Sequence, residues 1–188
     1  MSHGSLRGPA LAVVAFALVL AGCSHAPQVN SSTGMLLDAM DAKISPTQGN
    51  TCRGTVQFIA EKDGSVRVIA DLDGLAPNAQ HAMHIHEVGD CSAPDAMSAK
   101  GHYNPEAKDH GLPPAEDRHA GDLGNVTADG SGHAHYEITV HNMSLTGTHN
   151  PIYGRAVIVH AKPDDGGQPT GNAGARLGCG VIEARKLK

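Results

Sequence analysis

Between His81 and Val126 the chain offers almost nothing for a hydrophobic core to hold. The segment is rich in Gly, Pro, Asp, Asn and His, and it shows almost no apolar alternation. A loop beyond about 12–15 residues is uncommon in a compact domain unless it has a task. Something other than apolar burial must order it. Metal ligation and a disulfide are two devices that suit, because coordination supplies free energy that burial cannot and a cross-link restricts the open chain. The histidines point the same way. The chain has 13 of them against two Phe and three Tyr, and about half fall between 81 and 119.

The flanks read as strands. Val56, Phe58 and Ala60 alternate with polar positions, Lys62-Asp63-Gly64-Ser65 supplies a turn, and Val66, Val68, Ala70 and Leu72 alternate again, which predicts a β-hairpin. Ala134, Tyr136, Ile138 and Val140 repeat the period after the turn Asp129-Gly130-Ser131-Gly132. Ala156 to Val159 is a short apolar run after Gly154, as expected of a strand buried on both faces. No stretch carries a long helical period. Short strands joined by Gly-rich turns predict one all-β sandwich or barrel over residues 49–188.

The N-terminus reads as address rather than fold. Arg7 gives a weakly basic start, Leu11 to Leu20 is an apolar run too short to span a bilayer as a helix, and Leu20-Ala21-Gly22-Cys23 resembles a bacterial lipobox. The expectation is a signal peptide over 1–22, lipidation of Cys23, and export to the cell envelope or periplasm; Ser24 after that cysteine resembles lipoproteins of an outer membrane. Residues 23–48 are expected to form a flexible tether, with Met35 to Met40 making one or two helical turns that dock on the domain. An oxidising compartment permits a disulfide, and Cys52, Cys91 and Cys179 then leave one pair and one free thiol. The formal net charge is −5. With no Lys/Arg cluster apart from the terminal Arg185-Lys186-Leu187-Lys188, the chain has no field for nucleic acid.

His84-Ile85-His86 falls at a strand end, where a period of two sets both imidazoles on one face and turns Ile85 to the core. The same spacing recurs at His133-Ala134-His135, but that face continues as Glu137 and Thr139 and reads as solvated. His102, His110, His119 and Asp122 are spaced eight, nine and three apart. No helix or strand period makes those gaps, so the four side chains must converge through a folded loop. His160 closes the buried run, and Asp164 follows within a turn. Imidazole suits copper and zinc, and one carboxylate among imidazoles suits a tetrahedral zinc.

Four stretches carry a resemblance: His84-Ile85-His86-Glu87-Val88-Gly89-Asp90-Cys91, Gly101-His102-Tyr103-Asn104-Pro105, His119 to Val126, and Gly171 to Ile182. Together they resemble Cu/Zn superoxide dismutase, in its bacterial, exported lipoprotein type, over about residues 50 to 184. The resemblance implies a Greek-key β-barrel of about eight antiparallel strands. It implies one copper per subunit on His84, His86, His102 and His160, and one zinc on His102, His110, His119 and Asp122, with His102 shared. Asp164 then links His84 to His110, a Cys91–Cys179 disulfide anchors the loop, Arg176 holds the anion beside the open copper face, and Thr170 flanks the channel. The activity implied is conversion of superoxide to dioxygen and hydrogen peroxide through Cu(II)/Cu(I) cycling, with His102 giving a proton. A non-catalytic copper/zinc-binding or delivery protein is the rival. The segment Asp164 to Thr170 lacks the charged residues with which animal relatives focus superoxide, and Lys100 beside His102 is a candidate substitute. Cys52 is expected to be a buried small apolar side chain, and monomer and homodimer both stay open.

Overall fold

The computed structural model describes Met1, residues 29–30 and residues 35–186. The expected signal peptide after Met1, Cys23 and the expected tether as far as residue 34, apart from Val29 and Asn30, lie outside the described residues. Among the described residues nine strands follow in order: β1 Val29–Asn30, β2 Met35–Pro46, β3 Arg53–Ala60, β4 Val66–Asp73, β5 Gln80–His86, β6 Asp122–Thr127, β7 Ala134–Val140, β8 Ala156–His160 and β9 Arg176–Lys186. Among the described residues the only helix is one 3-10 turn, Met97–Ala99.

The expected hairpin is β3–β4. Phe58 faces Val68 and Val56 faces Ala70 across the ladder, and all four are buried. The turn closes because Asp63 Oδ1 accepts the Ser65 N–H at 3.0 Å and its hydroxyl at 2.6 Å, while Gly64 takes φ +89°, which a side chain would resist. The remaining strands extend the sheet in the order β6-β5-β8-β9-β2-β3-β4-β7, every neighbour antiparallel. The chain leaves β4 for distant β5 and leaves β7 for β8, which is the Greek-key crossing. The two edges meet where the Tyr136 hydroxyl donates to the Leu123 carbonyl at 2.7 Å. The eight long strands thus make a nearly closed all-β barrel.

One expectation is corrected. Residues 35–46 are neither tether nor helical turns. They form β2, inserted between β3 and β9, with Ala42 opposite Val56 on one side and Ile182 on the other. Met40, Ala42 and Ile44 are buried, while Lys43 and Ser45 are exposed. That is a period of two, and it places the start of the barrel before residue 49.

The main core fills the barrel with Phe58, Leu72, Ile85, Val157 and Ile182 among others. A second, smaller cluster of Ala96, Ala99, Ala156, Ile158 and Cys179 lies outside it, with Cys91 packed against it. β8 is buried on both faces for this reason. Val157 and Val159 point into the barrel, and Ala156 and Ile158 lie under the loop that the disulfide pins down.

Candidate metal centre

β5 supplies His84 and His86 from one face of the strand while Ile85 enters the core. The long loop runs from Glu87 to Gly121 and returns across β5. The Tyr103 N–H donates to the Ile85 carbonyl at 2.9 Å, the Gly121 N–H to the Tyr103 carbonyl at 2.9 Å, and the Ile85 N–H to the Gly121 carbonyl at 2.8 Å. A side chain at Gly121 would sit 2.3 Å from the Ile85 carbonyl oxygen, so the crossing requires glycine. This knot pairs His86 with His102 in a bridge and sets the His84 and His102 ring centroids 4.0 Å apart.

Two buried clusters result: His84, His86, His102 and His160, and His102, His110, His119 and Asp122. His102 belongs to both. In the first cluster each of three rings spends its outer nitrogen on an acceptor. His84 Nε2 bonds Asp164 at 2.9 Å, His86 Nδ1 the Lys100 carbonyl at 2.8 Å, and His160 Nδ1 the Gly174 carbonyl at 3.3 Å. The inner nitrogens, His84 Nδ1, His86 Nε2 and His160 Nε2, are buried without a hydrogen-bond partner. A buried polar atom left unpaired is costly, and three aimed at one place are lone pairs suited to a soft or borderline cation. Burial also pushes these imidazoles down, His84 to about 4, His160 to about 3 and His86 to about 2, so they stay neutral and available as ligands.

The second cluster contains charge. His102 Nδ1 lies 3.0 Å and His119 Nδ1 3.2 Å from Asp122 Oδ1, the two ring nitrogens are 3.4 Å apart, and His110 Nδ1 is 2.9 Å from Asp122 Oδ2. Four donors at the corners of a tetrahedron with bonds of about 2.0 Å stand about 3.3 Å apart. The donor set and spacing fit zinc. Burial resists ionisation of Asp122, but hydrogen bonds with His102 and His110 outweigh it and hold the carboxyl well below its usual range. For His110 burial acts downward, and Asp122 and Asp164 outweigh it, lifting the imidazole to about 9.

Asp164 stands between the clusters, with Oδ2 on His84 and Oδ1 on His110, each at 2.9 Å. The first cluster opens on a cavity of about 730 Å³ lined by His86, His102, His160, Thr170 and Arg176. Arg176 donates through Nη1 to the Ala96 carbonyl at 2.7 Å and through Nη2 to the Lys100 carbonyl. Cys91 and Cys179 form the expected disulfide, which joins the loop bearing those carbonyls to the strand bearing Arg176. Among the described residues Cys52 is the free thiol, fully buried and pushed up to about 12 by desolvation. His133 and His135 lie apart from both clusters and bond Asp73 and Asp71 on the outer face.

Lys100 is exposed. Its side chain does not line the cavity; its carbonyl is what holds His86 and Arg176. His81 and Asn125 are among the residues that went unnoticed in the sequence. His81, 1% exposed, places Nδ1 2.8 Å from the carbonyl of His160. Its odd position relative to His84 and His86 was the available signal, since that parity turns it inward with Ile85. Asn125 on β6 grips the backbone of Asp164 by both ends of its amide, at 2.9 and 2.7 Å; nothing in its type announces this.

Comparison with known proteins adds two findings. A family model for copper/zinc superoxide dismutase matches residues 52–182. The crystal structure of the clock protein EA4 is similar at 40% identity and a TM-score of 0.72, covering 81% of this chain and 97% of that one.

Proposed function

Because the chain belongs to the copper/zinc superoxide dismutase family, we propose that it converts two superoxide anions and two protons to dioxygen and hydrogen peroxide. The observation that carries the reading is the pair of clusters sharing His102 beneath a cavity that also holds Arg176. His84, His86, His102 and His160 would hold copper, and His102, His110, His119 and Asp122 would hold zinc. Bound copper would supply one-electron redox chemistry, and zinc would supply fixed positive charge.

The protein's own groups do the rest. Arg176 presents a permanently protonated fork beside the cavity floor, where it draws in and orients a small anion. Two of its donors rest on backbone carbonyls, so the fork is held in place before the anion arrives. His102 holds a proton on the nitrogen facing the first cluster in one half of the cycle and gives it to peroxide in the other. Asp164 fixes the tautomers of His84 and His110 by accepting from both, which aims Nδ1 of each ring inward. The closed second cluster has no free position for substrate, which suits a structural and electrostatic role.

The N-terminal pattern supports export and anchoring through Cys23 at the cell envelope, on the outer membrane where one exists. Superoxide from outside the cell would then be the substrate met there. Pulse generation of superoxide over the copper- and zinc-loaded protein tests the reaction. Rapid decay that disappears on copper removal supports it, and stoichiometric copper without turnover overturns it in favour of a metal-binding role.

A further inference from the structure

The segment Asp164–Gly171 has no lysine or arginine, so it offers no attractive field to an anion. Asp165, Gln168 and Thr170 are exposed, yet the Gln168 amide is spent on the protein. Gln168 Nε2 donates to the His110 carbonyl at 2.8 Å, and its Oε1 accepts the His110 N–H at 3.1 Å. Both ends of one primary amide are thus spent on the backbone of one residue 58 positions away. Among the described residues, His110 has no other backbone hydrogen bond.

The ring of His110 is held by the same segment, through Asp164 Oδ1. Residues four apart therefore grip His110 at its backbone and at its imidazole. The segment is itself fixed. Asn125 clamps the backbone of Asp164, the Gly166 N–H donates to Asp164 Oδ1 at 2.9 Å, and the Gly171 N–H donates to the Gly167 carbonyl at 2.6 Å. A side chain at Gly171 would overlap the Asp164 carboxylate and crowd His110 Nε2, so the chain passes as close to this pair as glycine allows. His110 lies in the long loop rather than on a strand, and no ladder restrains it. An amide with both ends engaged removes the translation and rotation that the ring contact alone leaves free.

We infer that Gln168 is a positioning residue for zinc: it holds the backbone of His110 so that Nδ1 stays in the closed cluster, and the short segment 164–171 works as a latch on the metal. The inference rests on the reading of His110 as a zinc ligand. Outer contacts that orient a ligand typically change metal affinity by about 10- to 100-fold when removed. A latch acts on escape, so the change belongs in the release rate.

The test uses the zinc-loaded full chain without copper, with zinc release followed by a colorimetric chelator. Gln168→Ala is expected to release zinc about tenfold faster or more. Gln168→Glu keeps an acceptor for the His110 N–H but sets a carboxylate against the His110 carbonyl, and is expected to release as fast. Gln168→Asn, one methylene shorter, cannot span both groups and should not rescue. With cobalt(II) in place of zinc, the visible bands of a tetrahedral site should weaken or shift in Gln168→Ala. The metal-stripped chains should all melt together. Release from Gln168→Ala at the wild-type rate overturns the latch, as does an equal loss of stability in stripped and loaded protein, which marks ordinary loop packing. A wild-type chain that holds no zinc overturns the ligand reading itself, and the two failures are told apart by that control.

Discussion

Arg176 is the residue at which turnover and metal binding come apart. It touches none of the donor atoms of either cluster, yet it lines the cavity above three of their rings. Burial lowers its pKa somewhat, but a guanidinium starts high enough to stay charged at any physiological pH. Arg176→Ala should therefore retain both metals while kcat/KM falls by about tenfold or more and loses part of its dependence on ionic strength. Metal analysis beside a salt series of decay rates checks this, and full activity in a metal-replete variant refutes the assigned role. Arg176→Lys should recover only part, since one ammonium cannot keep both carbonyl contacts and still face the anion. Outside the site, His135 offers a cleaner titration. Its hydrogen bond to Asp71, helped by the charge of that carboxylate, raises its pKa above the ordinary value of 6.5. The native state then binds the proton more tightly than the unfolded chain. The contribution to stability is present in full below the ordinary value and fades as pH rises through the raised one. An NMR titration should find His135 above the ordinary value in the native protein and back near it in Asp71→Asn.

β2 shows what the sequence declared and what it withheld. Strands with free alternation, such as β3 and β4, were legible because the turn between them, Lys62 to Ser65, has residues with one use. β8 was legible as an unbroken apolar run. β2 was missed because Met35-Leu36-Leu37 opens on consecutive apolar residues and sits beside a Ser/Thr-rich stretch, although Met40-Asp41-Ala42-Lys43-Ile44-Ser45 alternates cleanly. The ladder to β9 also shifts register between Leu36 and Met40, which breaks the period where it would have been noticed. The site divides in the same way. Each of the seven candidate ligands was legible from side-chain type and spacing. Of the groups that aim them Asp164 was legible and the rest were not, since Lys100 and Gly174 act through carbonyls and Asn125 and Gln168 act on other residues' backbones. β2 also reaches the site. Thr47, just past its end, donates its hydroxyl to the Arg176 carbonyl at 2.7 Å. A chain begun at residue 49 would leave β3 and β9 without a shared neighbour and Arg176 without this support. It should fail to give a cooperative urea transition, whereas a chain begun at residue 35 should give one. Equal transitions from the two would show β2 to be dispensable.

Across the whole molecule, apolar burial and the site divide the work of ordering the chain. The barrel has its own core, but the loop from Glu87 to Gly121 contributes little to it beyond Tyr103 and Ala120. What holds that loop is the disulfide at one end, the small cluster beneath it, and the two candidate ligand clusters at the other. Asp122 and Asp164 are fully buried there among imidazoles, an arrangement that a bound cation stabilises and that the unfolded chain cannot reproduce. A ligand bound to the native state alone stabilises it by about 4 kcal/mol when present at 1,000 times its dissociation constant. For a domain of this size that corresponds to a rise in melting temperature on the order of 10 °C. Calorimetry of the metal-loaded and chelated protein should show a shift of this order. Hydrogen exchange should place the gain in residues 87–121 and around Asp164, with β3, β4 and β7 little changed. Opening the 91–179 disulfide by Cys91→Ala/Cys179→Ala should cost about 2–4 kcal/mol in urea unfolding and loosen the same loop from its other end. The two losses should be coupled rather than additive, because each device restrains a loop that the other already restrains in part. The double comparison, disulfide present or absent with metal bound or chelated, measures that coupling directly. Strictly additive losses would mean that the disulfide and the metals order separate parts of the chain.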